Sequence, residues 1–143
     1  MSSIDRICQE ITTKIKHEME GRAYVAANEL RNAELQVNRG QGGGRIYTVP
    51  GTKRRYQASA PGSPPAVRTG AFRLSWQPEA YVMFGSYISR IESSLQVGTN
   101  RQYTLGELLE HGTSKMAPRP HHDKILAKAE PEIVKIYSRD YNL

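Results

Sequence analysis

The feature that most constrains the fold is a stripe of apolar residues running through the first quarter of the chain. Ile4, Ile7, Cys8, Ile11, Ile15, Met19, Ala23, Ala26, Leu30, Ala33 and Val37 recur mostly at steps of three and four. That spacing lines one side of a helix, predicted over residues 3–37. Ser2 or Ser3 is placed to cap its start, and Asp5 favours the positive end of its dipole. Lys14, Lys16, Glu18, Glu20, Arg22, Glu29 and Arg31 are assigned to the other face. Gly21 weakens the middle by about 1 kcal/mol relative to alanine. Such a narrow stripe suits either a sheet or another subunit, and the sequence leaves both open. Cys8 is the one cysteine, so no internal disulfide forms. It is expected to be a small buried apolar residue.

The helix ends at Asn38-Arg39-Gly40-Gln41-Gly42-Gly43-Gly44, which cannot stay helical. From here to Glu79 there is no acidic residue, while Arg39, Arg45, Lys53, Arg54, Arg55, Arg68 and Arg73 supply seven positive charges. The remaining thirteen basic residues face fourteen acidic ones, so the net charge of +6 belongs to this one segment. Ile46, Tyr47 and Val49 with Tyr56, Ala58 and Ser59 suit a short ribbon around Pro50-Gly51. Ala60-Pro61-Gly62-Ser63-Pro64-Pro65 then stiffens the chain into an extended form. Residues 38–68 read as a flexible basic arm that orders on an acidic partner, either DNA or a neighbouring subunit. The expected contacts are Arg39, Arg45, Lys53, Arg54, Arg55 and Arg68.

The chain of 143 residues is the size of one domain. The expected organisation is the helix, the arm, and a sheet plus helices over residues 69–143. Phe72, Leu74 and Trp76 alternate with Arg73 and Ser75 as on a half-buried strand, with a short helical turn as the competing reading. Residues 80–91 and 93–99 read as two further strands, joined by a tight turn at Arg90-Ile91-Glu92. Thr104 is placed to cap a helix from Leu105 to His111, stopped by Gly112. A last helix is expected from about Pro120 to Arg139, kinked by Pro131. Its apolar face would be Ile125, Leu126, Ala129, Ile133, Ile136 and Tyr137. The fold class is α+β, with both long helices packed on a small antiparallel sheet.

Catalytic motifs are missing. Gly40 to Gly44 lacks the Gly-Lys-Ser/Thr of a phosphate loop, and no Gly-x-Ser-x-Gly elbow exists. His111, His121, His122 and Asp123 are the one grouping that looks like a metal or general-base site. Neighbours at a helix start are expected to diverge, and no glutamate or second histidine at a spacing of three or four completes a pair. Asp123 suits the helix dipole, and His111 suits a helix C-terminus. The expectation is therefore no catalytic residue, no metal and no cofactor. No apolar run approaches the ~20 residues that span a bilayer, and the start lacks the order of a signal peptide. A soluble protein made in the cytoplasm is expected, with no membrane partner.

The stretch Ala60-Pro61-Gly62-Ser63-Pro64-Pro65-Ala66-Val67-Arg68-Thr69-Gly70-Ala71-Phe72-Arg73-Leu74-Ser75 resembles the "S-x-PGEPP-x-x-x-TG-x-LR-x-S" segment of a tailed-phage family. Its members are tail-component, tail-completion or head–tail joining proteins of long-tailed phages. Val97-Gly98-Thr99-Asn100, Tyr103, Leu109-Glu110-His111-Gly112-Thr113 and Ala117-Pro118-Arg119-Pro120 are similar to that family's "vGt…Ya…lEfGT…aRPfl". The motifs cover about residues 60–126, and the first helix agrees only in pattern. Ser63 departs from the usual glutamate, His111 from an aromatic and His121 from a phenylalanine. The resemblance implies an α+β fold and a structural, non-enzymatic virion protein. It further implies a homo-oligomeric ring, expected to be a hexamer, at the head–tail junction or tail, contacting other neck and tail proteins. The arm would meet genomic DNA without sequence preference, or an acidic neighbour. The alternative is an accessory DNA-binding protein using residues 39–73, and a metal-dependent hydrolase at His121-His122-Asp123 is far behind.

Overall fold

The computed structural model describes residues 1–40 and 42–143. Gln41, inside the predicted arm, lies outside the described residues. The fold is α+β. Helix α1 (Ser3–Val37) is followed by a ribbon of β1 (Ile46–Thr48) and β2 (Arg55–Gln57). A single helical turn α2 (Ala71–Leu74) leads into the hairpin β3 (Trp76–Met83) and β4 (Ser86–Ser93). Then come β5 (Gln96–Val97), β6 (Tyr103–Thr104), α3 (Leu105–His111) and α4 (His122–Tyr137). Among the described residues the strands form three two-stranded antiparallel ribbons. No helix of these residues is long and apolar enough to cross a membrane.

Helix α1 begins where the sequence places it. The Ser2 hydroxyl accepts from the Asp5 amide, and the Asp5 carboxylate accepts from the Ser2 amide, a reciprocal capping box. Only the second half of α1 is covered. Ala23, Ala26, Ala27, Leu30 and Ala33 are buried, and their small side chains let α4 and the β3–β4 hairpin lie close. Leu30 and Ala33 meet Ile125 and Ala129 of α4, with Val37, Ile91 and Ile133 at the margin. The first half is bare: Ile4 is 70% exposed, and Ile7, Ile11 and Cys8 are exposed too. The expected burial of Cys8 is thus corrected, because no other element reaches that far along α1. Arg22, assigned to the solvent face, is buried. It donates to the carbonyls of Tyr137 (3.4 Å) and Asp140 (2.8 Å) and stacks over the Tyr141 ring.

The middle of the chain departs most from expectation. Residues 71–74 are the helical turn, not a strand, and Leu74 points out at 66% exposure. Trp76 opens β3 and is buried beside Phe72. The hairpin turn is Phe84-Gly85, not Arg90-Ile91-Glu92, which lies inside β4. Both turn residues are left-handed (φ 50° and 75°), the two-residue geometry whose twist matches paired strands. Phenylalanine is an unusual occupant, so the turn carries no strong sequence signal. Pro78, opposite Ile91, is tolerated because β3 has no second neighbour to receive an N–H bond. The third strand shrinks to Gln96–Val97, paired with Tyr103–Thr104.

Helices α3 and α4 agree with expectation within a few residues, and α4 runs on through Pro131. Thr104 holds the N-cap position of α3 but makes no side-chain cap. Ile125, Ala129 and Ile136 face inward as expected, whereas Leu126 and Tyr137 are exposed. Gly112 ends α3 at φ 77°, and a Cβ there would stand 2.8 Å from the Met116 carbonyl oxygen and the Pro118 nitrogen. Only glycine lets the chain turn this corner.

Candidate functional site

The basic segment divides into an outer ribbon, β1 and β2, and a return strand, the non-β stretch over residues 58–70, against the body. In the ribbon Tyr47 faces Tyr56 across the strands, and the two rings stack with centroids 5.7 Å apart. Arg45 lies against the Tyr47 ring and Arg68 against the Tyr56 ring, a favourable contact of cation with ring face. Lys53, Arg54 and Arg55 sit around the ribbon's connecting turn. Arg39, Arg45, Lys53, Arg54, Arg55 and Arg68 are all exposed, and among the described residues none forms a salt bridge. Six cations without acidic partners are a surface that attracts a polyanion.

The return strand is held to the body. The Gly62 amide donates to the Pro118 carbonyl (3.0 Å), and Lys124 Nζ donates to the Gly62 carbonyl (3.2 Å). Two of the stretches that carry the phage resemblance therefore meet in space. Ser59 and Pro65 are buried. A cleft of about 530 Å³ opens on one side of this strand. Phe72, Leu95, Leu105, Leu109 and Met116 supply apolar walls, and Arg68, Lys115 and Arg119 supply charge. Gly106 is buried, and a Cβ there would make ordinary van der Waals contact with the Phe72 ring at 3.6 Å. On the other side of the strand, Arg39, Lys124 and Lys128 line a second hollow. Among the described residues no carboxylate lines either one.

Besides the six expected arm cations, which are exposed, the structure places Lys115, Arg119, Lys124 and Lys128 around these two hollows, and none of these four was singled out from sequence. The signal for two of these was present. Lys124 and Lys128 stand four residues apart, on one edge of a helix. Arg73, counted with the segment's charge, serves the fold instead: its Nε donates to the Leu35 carbonyl at the end of α1 (2.9 Å). Nearby, Glu34 is 0% exposed and pairs with Arg31 and the Asn38 amide group. Burial pushes the Glu34 carboxyl up, and Asn38, Arg31 and Arg73 oppose that.

The histidine corner differs from expectation in both respects argued from sequence. The His121 and His122 rings do not diverge; their centroids are 4.6 Å apart. A glutamate does join them, since Glu110, His121 and His122 each place a ligand-type atom within 4.8 Å of the others. Glu110 lies on α3, eleven residues before His121, too far for any single-helix spacing rule to detect. Asp123 stands in the first turn of α4 and His111 in the last turn of α3, as expected.

Some atoms of this corner are committed, while His121 Nε2 is buried with no hydrogen-bond partner among the described residues. Glu110 Oε2 accepts from the backbone amides of His121 (2.8 Å) and His122 (3.2 Å). His121 Nδ1 lies 2.9 Å from the Arg119 carbonyl oxygen and 3.1 Å from Glu110 Oε2. Two acceptors at one nitrogen require that it carry the proton. His121 is 0% exposed, and burial lowers its proton affinity, against the hydrogen bond to Arg119. Its edges meet the Phe72 and Trp76 rings. A metal at Nδ1 would take the donor from the Arg119 carbonyl, and a metal on Glu110 would compete with two helix amides. The arrangement is a polar brace around the start of α4.

No family model, no curated protein and no solved structure matches the chain.

Proposed function

We propose that this chain is a structural, non-catalytic subunit of a phage neck, working in tail completion or head–tail joining as part of a homo-oligomeric ring. The observation that carries the reading is the bare first half of α1. Ile4, Ile7 and Ile11 form an apolar stripe that nothing in the same copy covers. An exposed apolar stripe of this kind suits a contact with another chain. The phage-like motifs supply the kind of assembly, and the six unpaired cations supply a surface for the DNA that passes through a neck, or for an acidic neighbour.

Light scattering on protein eluting from a sizing column tests this reading. Closed species of defined mass are expected, growing with concentration. A chain that stays monomeric alone and with neck proteins would contradict it.

The unpaired cations favour a second reading, an accessory DNA-binding protein. A monomer that shifts random duplex would support it. With six phosphate contacts, the slope of log affinity against log salt would be about −5.

A further inference from the structure

The β3–β4 hairpin ends in a group of side chains with no use inside one copy. Val82 and Met83 are exposed, and Phe84 is 98% exposed. Phe84 also holds φ 50°, a backbone region where bulky side chains are uncommon and which asparagine, aspartate or glycine fills with less strain. Asparagine would make the same turn without either cost. A residue that is both strained and bare is best explained by what it contacts elsewhere.

The cleft beside the return strand is the complementary feature. Its apolar walls are Phe72, Leu105, Leu109 and Met116, and Arg68 and Arg119 stand among them without a carboxylate. The tip cannot reach this cleft in its own copy. Phe72 of the cleft touches Trp76, at the base of the hairpin. From Trp76 to Met83 the strand carries the chain away by roughly 24 Å, at ~3.4 Å per residue.

We propose that Phe84 of one copy seats in this cleft of a second copy. Its ring would lie on the Phe72, Leu105 and Leu109 side chains, with a face toward Arg119. The ring face is electron-rich and attracts a cation. Residues 80–89 of the hairpin contain no Asp, Glu, Lys or Arg, so the tip brings no cation for the cleft to repel. A nucleic-acid base suits the cleft less well, because Tyr47 and Tyr56 already stack on each other with an arginine against each ring. The contact joins two unlike patches, one at the tip of the hairpin and one beside its base. It is therefore head-to-tail, and repeats until it closes a ring or runs on as a filament. This inference rests on the ring reading and names the surfaces that would build the ring.

The test uses the full chain with p-benzoylphenylalanine at position 84, mixed from heavy-isotope and light preparations and irradiated. Inter-chain adducts on Phe72, Leu109 or Met116 are expected. In parallel, Phe84→Asn should fold with an unchanged or higher Tm and associate at least tenfold more weakly. Leu109→Arg should give the same loss from the cleft side. Mixing the two variants rebuilds one good contact per pair, so a two-chain species is expected and rings are not. If Phe84→Asn assembles normally, or adducts map outside the cleft, this docking is overturned while the ring reading stands. If the unaltered chain never self-associates, both fall together. If Leu109→Arg does not fold, the photoadducts and Phe84→Asn still decide the matter.

Discussion

The backbone amide of His121 donates to Glu110 Oε2 across 2.8 Å, and this carboxylate caps a helix that has no side-chain cap of its own. At the far end of the same helix, Arg22 donates to the carbonyls of Tyr137 and Asp140. Helix α4 is thus held by an anion from α3 at its positive end and a cation from α1 at its negative end, both matched to its dipole. The clamp fixes the corner where the return strand, α3 and the hairpin base meet, and so fixes the cleft.

Replacing Glu110 by alanine should cost about 1–2 kcal/mol, the loss expected for a helix cap. Glu110→Gln should cost less, because its amide oxygen still accepts from the two amides. Chemical denaturation measures both. Added zinc should leave the Tm of the unaltered protein where it is. A zinc-dependent rise that vanishes in His122→Ala would show a metal centre here instead of a brace.

Acid should weaken the fold in two stages. Burial lowers the proton affinity of His121 below its ordinary value of 6.5, against the hydrogen bond to Arg119. As pH falls through 6.5, the unfolded chain takes up a proton that the folded chain refuses, so stability present above that value is lost below it. Burial raises Glu110, but the two backbone amides outweigh it and leave the group below 4.5. Its contribution is present above that value and lost as pH falls through the depressed folded one. Glu34 acts oppositely, since burial raises it, and offsets part of the second stage. His121→Phe keeps an aromatic ring among Phe72 and Trp76 and should flatten the first stage. A Tm that is level from about pH 7.5 to 5.5 in the unaltered protein would contradict this.

Trp76 is 5% exposed and meets Phe72, His121 and His122 edge to face. Its replacement by alanine should destabilise the fold by roughly 3–5 kcal/mol, the usual cost of removing a large buried ring. Equilibrium denaturation with an unchanged midpoint would show that the ring packing is not a source of stability.

The helices were legible because their signals are local. The Ser2–Asp5 capping box, the stripe along α1 and the stop at Gly112 lie within one or two turns of what they control. The Tyr47–Tyr56 ribbon was legible for the same reason. The hairpin turn was not, because Phe84 mimics a strand residue and hides a left-handed turn. Arg22 read as a surface charge, since only the folded chain brings Tyr137 and Asp140 to it. The arm cations were visible as a gap in acidic residues. The histidine corner was misread because Glu110 reaches it through the fold and not through sequence spacing.

Changing Lys53, Arg54 and Arg55 to alanine should change the unfolding free energy by no more than about 0.5 kcal/mol per site, as for exposed side chains generally. These residues are exposed and free of salt bridges among the described residues. The yield of joined, infectious particles should fall, because a polyanion or acidic subunit loses its contact. Normal yields from the triple variant would remove the arm from the mechanism.

The most direct test of the neck assignment is a cryo-electron microscopy reconstruction of intact tailed particles that carry this chain. A closed ring of its copies is expected at the head–tail junction or the head-proximal end of the tail, with the Tyr47–Tyr56 ribbon turned toward the DNA channel or an acidic neighbouring subunit. Purified, fully joined particles that contain no copy of the chain would contradict it.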